Sequence, residues 1–549
     1  MKVQASLLCL AIASALASSA HAAAADPTPE EAAAARRAAV VARANALIGS
    51  NPAAIHRAAD DTFDVRDVIT DANGTEHVRY QRSFDGLPVI GGDFVVHSRD
   101  AKLAGFSQTL GSAFRPELLS KLGSDEAIVV AGNEFGSHFI GAPTSRTVIY
   151  ARSASPVLAH EVVFNGVKAD QTPTEMHYFV DANSGKILDK WDGINTAKPG
   201  PGGGGTTTCT AATGTGNSLT EGNVVLNTSK CGATYQLVDT TRGGGATHTM
   251  AMLTAGMGTV VTDADNVWGT GLVNNAQTVA ADAHYGVATT WDYYKTVHGR
   301  MGIANDGEGA ISRVHYGRNY QNAFWSDGCF CMTFGDGDNG ATILPLIALD
   351  VAGHEMSHGV TSRSAGLAYS GDAGGLNEST SDIFGTMVEY FANNSNDPGD
   401  YVIGEKLYKN NADMSKAIRW MFKPSLDGYS YDCYESAVSG DDPHFSSGVG
   451  NHFFYLLAEG AVVPTGFGAN TWANLTPAAL VCNGNTAITG IGREAASKIW
   501  YRALTVYMTS GTTYPQARAA TISAVADLYP GDTAKANAVK AAWSAVSVN

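Results

Sequence analysis

Lys198-Pro199-Gly200-Pro201 runs directly into four glycines, Gly202 to Gly205, and no segment of a packed core is built that way. Proline removes a backbone donor and glycine brings no side chain to bury, so the stretch reads as an exposed linker open to proteolysis. It divides the 549-residue chain near residue 200 into two regions, each long enough for a core of its own. Apolar residues make up 44% and charged residues 16%, which is too apolar for a disordered polyanion. The net charge of −16 also excludes classes of partner. Nucleic acid and anionic lipid both call for patches of surplus Lys and Arg, and the sequence has none.

Met1-Lys2, the apolar run from Ala5 to Ala17 and Ala20-His21-Ala22 follow the order of a secretory signal, residues 1–22. The run is too short to anchor in a bilayer, and no later stretch reaches about 18 uninterrupted apolar residues. A secreted protein with no membrane attachment is expected, ending at Asn549 without a C-terminal targeting domain. Cys9 leaves with the signal. Cys209, Cys231, Cys329, Cys331, Cys433 and Cys482 remain, enough for three disulfides in an exported chain. Cys209 with Cys231 is the local pair. The Cys329-x-Cys331 spacing is short for a bridge between neighbours, so separate partners or free thiols are expected there. No second CxxC-type pair makes a zinc site of these cysteines.

Thr28-Pro29-Glu30-Glu31 carries the signals of a helix start, followed by Ala-rich sequence to Ile48 and a stop at Gly49. From Phe63 to about Leu110 the pattern is strand-like, with Asn73-Gly74 as a hairpin turn. Strand patterns recur at Val148–Tyr150, Glu161–Phe164 and Tyr178–Val180. Beyond the linker the chain reads as β-rich through about Gly340. It then turns helical over 341–362, 376–391, 449–460, 492–509 and the Ala-rich C-terminus. The fold class is therefore α+β, with a β-rich half and a helical half behind the linker.

At their junction stands His354-Glu355-Met356-Ser357-His358, an H-E-x-x-H. On a helix, residues i and i+4 share a face, so both imidazoles reach one ion. A catalytic zinc needs a third protein ligand and an open position. Glu378 lies 20 residues beyond His358, in Gly374-Gly375-Leu376-Asn377-Glu378-Ser379-Thr380-Ser381-Asp382. Asp382 is one turn further along the same face, where it would accept the outer ring N–H of a ligand histidine, and Asn377 adjoins it in that supporting role. Both carboxylates also suit the first half of a helix for its dipole alone. Glu355, beside the metal but not bound to it, would be the general base for a water whose pKa zinc lowers from about 15.7 towards 7.

These motifs resemble the thermolysin family of secreted zinc endopeptidases, in particular its pseudolysin and vibriolysin branch. Asn322-Ala323-Phe324-Trp325, Gly335-Asp336-Gly337, Leu344-Pro345-Leu346, the zinc helix, Gly366-Leu367-Ala368-Tyr369 and Asp442 to Gly448 occur in the family's order, and the likeness covers about 206–549. Residues 26–195 resemble the family's propeptide through Phe84 to Val89 and Val180 to Gly185. The resemblance implies a two-lobed peptidase: propeptide over 23–200 in two α+β subdomains, a β-rich lobe over 201–352 and a helical lobe over 353–549. It implies one zinc on His354, His358 and Glu378, with Glu355 as base. Tyr369 and His444 would donate to the oxyanion, and Asp442 would orient His444.

Asn322 and the Ala323 backbone match the family's clamp on an extended peptide, and Arg419 its substrate-carbonyl ligand. Ile343, Leu346, Val351 and Ile418 match the pocket for a bulky hydrophobic residue just after the cut bond. Asp350 and Glu389 match calcium ligands, with Asp397 or Asp400 as a third carboxylate and Thr386 where a carboxylate is usual; one structural calcium is expected. The partners implied are peptide substrates and the chain's own propeptide, as chaperone and inhibitor of a monomer. An exopeptidase would need a group capturing a free terminus, and no such motif is visible. A decayed, non-catalytic binding protein would have lost Glu355, Tyr369 or His444, and all three are present.

Overall fold

A computed structural model describes residues 28–194 and 209–549. The expected signal and the Gly-rich linker lie outside the described residues. Thr28 opens α1 (Pro29–Ser50) through a capping box: its hydroxyl accepts from the Glu31 N–H, and the Glu31 carboxylate accepts from the Thr28 N–H. The helix packs Val40, Ala44 and Ile48 on Val78, Tyr80, Phe94 and Val96. These last four belong to β2 (Thr75–Phe84) and β4 (Phe94–Arg99). β1 (Asp61–Thr70) pairs with β2 across a turn in which Gly74 takes a φ of 82°. β3 (Leu87–Ile90) then joins this half to β6 (Thr144–Tyr150) in parallel, and β5 (Lys102–Gln108) closes the far edge. β7 (Val157–Val167), β8 (Pro173–Asp181) and β9 (Ile187–Asp192) continue antiparallel, backed by α2 (Ser124–Phe135).

Behind the linker, a five-stranded and a six-stranded sheet pack around α3 (Ala276–His298). The segment read as β-rich through about Gly340 also holds this helix, which the pattern did not indicate. Val279, Ala281 and Trp291 face the sheets, whereas Tyr293 and Tyr294 face the helices, so no polar stripe marks its period. Its ends were the legible part: Asn275 caps the Gln277 and Thr278 N–H groups, and Gly299 closes it at φ 70°.

The helical lobe begins with α4 (Leu349–Ser362), eight residues later than the pattern suggested, because Asp338 folds the Thr342 and Ile343 N–H groups into a loop and Pro345 follows. α5 (Gly371–Ala392) crosses it with backbones in contact. A Cβ on Gly385 would stand 2.4 Å from the Asp350 carbonyl oxygen, and one on Gly353 2.9 Å from the Gly385 Cα. Only glycine permits that approach, which fixes the separation of the two helices bearing the metal motif. The helix expected over 492–509 ends at Arg502 and widens into a π-turn, Ala503–Tyr507.

Among the described residues the six cysteines pair as Cys209–Cys231, Cys433–Cys482 and Cys329–Cys331. The last corrects the expectation of separate partners or free thiols. Phe330 takes a left-handed φ of 50°, which bends the three-residue segment and brings the two Cα atoms to 5.1 Å, within bridging range.

The first region docks on both lobes. Asp71 accepts two bonds from Arg502 (2.7 and 2.6 Å). Asp93 accepts from the Ser510 N–H, and Arg152 donates to the Ser370 hydroxyl, at the entry to α5. Gln171 exchanges two bonds with the backbone of Arg318.

Candidate active site

The i,i+4 spacing brings the Nε2 atoms of His354 and His358 to 3.0 Å. Glu378, on α5, meets them with its two oxygens at 3.3 Å from His358 Nε2 and 3.6 Å from His354 Nε2. Both outer nitrogens are occupied: His354 Nδ1 donates to Asp382 and His358 Nδ1 to Asn377, each at 2.8 Å. The Nε2 lone pairs therefore face each other and a buried carboxylate whose Oε2 has no hydrogen-bond partner. Two acceptors and an anion at that separation repel unless a cation lies between them, and N, N, O is a zinc donor set. The residues fit the metal.

Glu355 is buried beside this triad, and burial raises its pKa above the ordinary glutamate value. Tyr369 OH donates to Glu378 Oε1 and lies 3.3 Å from His444 Nε2. Asp442 caps the short helix Pro443–Ser446 and accepts from His444 Nδ1 at 2.8 Å, which turns Nε2 towards the triad. Crowding against the cleft works against a charge on that imidazole, yet Glu378 and Asp442 outweigh it and raise its pKa. Arg419 is buried with its fork on Asp382, Nε at 2.6 Å and Nη2 at 2.7 Å.

A cavity of about 240 Å³ opens on these groups. Asn322, Ala323, Leu346, Val351, Ile418 and Arg419 line it with the triad, Glu355, Tyr369 and His444. Ile343 is not brought into the lining; it bridges to Tyr408 and packs among partly buried side chains of the β-rich lobe. Sequence reasoning missed Ile403, which lines the wall. Lys168, Thr172, Pro173, Asp192 and Ile194 also line the cavity, so the expected propeptide lies over the cleft.

A second carboxylate cluster lies at the other end of α4 and α5. Oxygens of Asp350, Glu389 and Glu405 lie within 4.8 Å of one another. Asp397 is fully buried with neither oxygen hydrogen-bonded, and its nearest cation is Lys406 Nζ at 3.3 Å. Asp400 joins through its N–H to Glu389 Oε2. Burial, reinforced by mutual repulsion, pushes Asp350 and Asp400 up to about 7 and Glu389 well above its usual value. Glu405 was absent from the expected set; its only signal was the turn glycine before it, Gly404.

The thermolysin metallopeptidase catalytic-domain model matches residues 213–362, and the model of that family's alpha-helical domain matches 365–548. The fungalysin/thermolysin propeptide motif matches 61–110. The chain is 43% identical to the transglutaminase-activating metalloprotease of Streptomyces mobaraensis, over 93% of this chain and 64% of that protein, just under two thirds of its length. It is 35% identical to thermolysin of Alicyclobacillus acidocaldarius subsp. acidocaldarius, over 87% of this chain and 84% of that one. Among solved structures, the precursor of protealysin from Serratia proteamaculans shares 29% identity with a TM-score of 0.42, covering 56% of this chain and 87% of that one. With both domain models matched in order and the histidine–glutamate triad assembled where they join, this chain belongs to the thermolysin family of metallopeptidases.

Proposed function

We propose that the protein is a secreted zinc endopeptidase made as a proenzyme. Residues 1–22 would be the signal, 23–200 the propeptide, 201–352 the β-rich lobe and 353–549 the helical lobe, with maturation in or near Gly200–Thr208. The active form would be a monomer. The observation that carries this reading is the convergence of two lone-pair-bearing Nε2 atoms and a buried, unpartnered carboxylate oxygen, with Glu355 alongside.

His354, His358 and Glu378 would hold one zinc, which supplies Lewis-acid charge to water and to the substrate carbonyl. The Glu355 carboxylate, its pKa raised by burial, takes a proton from the attacking water and returns it to the leaving nitrogen. Tyr369 OH and His444 Nε2 donate to the oxygen on which negative charge develops, with Asp442 keeping the imidazole in place. A substrate peptide pairs with the free edge of the strand Ala323–Ser326, assisted by Asn322 and the Ala323 backbone. Arg419, which lines the cavity, would hold a substrate carbonyl. Leu346, Val351 and Ile418 favour a bulky apolar residue on the nitrogen side of the cut bond.

One calcium would occupy the Asp350, Glu389, Asp397, Asp400 and Glu405 cluster, since so many buried carboxylates do not stay ionised beside one lysine without a cation. The test of the whole reading is cleavage of casein and of furylacryloyl-Gly-Leu-amide by secreted, processed protein, with and without a zinc chelator, beside Glu355→Ala. Activity lost to chelator, restored by zinc and absent in the variant supports it. A processed, metal-loaded wild type that cleaves neither substrate overturns it.

A further inference from the structure

The proposed reaction does not use the Cys329–Cys331 bridge or the buried carboxylate of Asp327. Both lie in the turn between the edge strand Ala323–Ser326 and its single neighbour, Cys331–Gly335. The pairing ends with Ser326 opposite Cys331, and residues 327–330 make the turn. The bridge ties the turn to the first residue of the inner strand, so the turn cannot open alone. Asp327 Oδ1 accepts from Trp325 Nε1 at 2.9 Å, from the Ser362 hydroxyl at 2.8 Å and from Arg363 Nη1 at 3.0 Å. Ser362 and Arg363 close the zinc helix, α4, one turn beyond His358. The Phe330 ring meets Trp325 edge-on at 5.3 Å, and the Arg363 guanidinium lies 5.6 Å from the centre of that ring. Trp325 itself is fully buried against Gly359, where a Cβ would stand 2.8 Å from the indole.

An edge strand has a neighbour on one side only, so its position on the substrate side is set by whatever holds its ends. Here the turn end is held to the helix that carries both histidine ligands. We propose that the bridged turn, through Cys329–Cys331, Asp327 and Phe330, is a positioning element that keeps the substrate-pairing strand in register with the metal site. It rests on the endopeptidase reading above. Misplacement of a substrate by about 1 Å costs up to about 100-fold in rate. A strand released at one end is expected to lose less, and to lose it for peptides long enough to pair along it.

The experiment compares the wild type, expressed as the whole precursor and then secreted and matured, with the double variant Cys329→Ser/Cys331→Ser, and separately with Asp327→Asn. Zinc content, kcat and KM are measured on furylacryloyl-Gly-Leu-amide and on a peptide spanning several residues either side of the cut. The expected result is full zinc occupancy, an unchanged kcat on the short substrate, and a KM for the long peptide raised about tenfold. A bridge that serves stability alone would lower the melting temperature and leave the KM ratio of the two substrates at the wild-type value, which overturns the proposal. Should the double variant not accumulate, Asp327→Asn carries the same readout, and an unchanged KM ratio there overturns it as well. Free thiols at 329 and 331 in non-reducing peptide maps also overturn it. A wild type inactive on both substrates defeats the endopeptidase reading itself, a result distinct from an active wild type matched by its variants.

Discussion

Asp382→Asn replaces one oxygen of a carboxylate that accepts four hydrogen bonds and leaves its shape unchanged. Asp382 is fully buried. Its Oδ1 accepts from His354 Nδ1 at 2.8 Å and Arg419 Nη2 at 2.7 Å, and its Oδ2 from Arg419 Nε at 2.6 Å and Asn451 Nδ2 at 2.7 Å. Burial alone would raise its pKa, but Arg419 and His354 hold it far below the usual carboxylate range. An amide brings two hydrogens to one side of a site where every neighbour is a donor. One pair of donors then faces another pair, and the Arg419 charge loses its hydrogen-bonded anion, leaving the Glu378 carboxylate 3.9 Å away as its neighbour. Breaking a buried ion pair from one side costs about 3–5 kcal/mol. Loss of the group that orients a ligand histidine costs about 10–100-fold in metal affinity, which is about 1.4–2.7 kcal/mol. The assay is zinc affinity by chelator competition, with thermal unfolding of the zinc-loaded proteins alongside. Asn377→Ala removes a neutral partner of the other histidine and is expected at the low end of the same range. An Asp382→Asn protein that binds zinc within twofold of wild type would refute the argument that this carboxylate sets the ligand geometry.

Two further outcomes concern pH and calcium. His77 and His97 face each other on paired strands with Nδ1 atoms 2.7 Å apart, so one proton at most lies between them, and Asp71, Arg79, Arg502 and Tyr507 surround the pair. Burial, then His77, Arg79 and Arg502, push His97 down to about 3 in the docked form, whereas an undocked histidine titrates near 6.5. Docking of the first region is therefore full above about pH 6.5 and weakens as pH falls. It should be about 30-fold weaker at pH 5, read as release of the cleaved propeptide on gel filtration, and His97→Gln should flatten the dependence. Equal retention at both pH values would refute it. Calcium removal by a chelator that spares zinc should lower the melting temperature. With Asp350 and Asp400 pushed up to about 7, the calcium-free protein should lose stability as pH rises from about 4 to 7, and calcium should cancel that slope. A calcium-independent melting curve would remove the site.

What the sequence by itself determined is the chemistry that short-range geometry carries. An i,i+4 pair on a helix shares a face whatever surrounds it, so His354 and His358 were legible. The Glu378-to-Asp382 spacing repeats that logic on the next helix, and Asp442 before His444 is a local cap. The Thr28 capping box was equally local. The tertiary structure alone decided which of several candidate side chains converge. Ile343 has the right character for the pocket wall and lies outside it, Ile403 lines it, and Glu405 enters the carboxylate cluster. It also decided that α3 is a helix, because burial on opposite sides erases the polar stripe that a sequence pattern relies on. The Cys329–Cys331 bridge shows the same division, since spacing argued against it and one left-handed residue made it. Periodicity reports the neighbours that a helix or strand makes within itself. Contacts between elements depend on how closely two backbones approach, and here that distance is set where Gly353 and Gly385 let α4 and α5 touch.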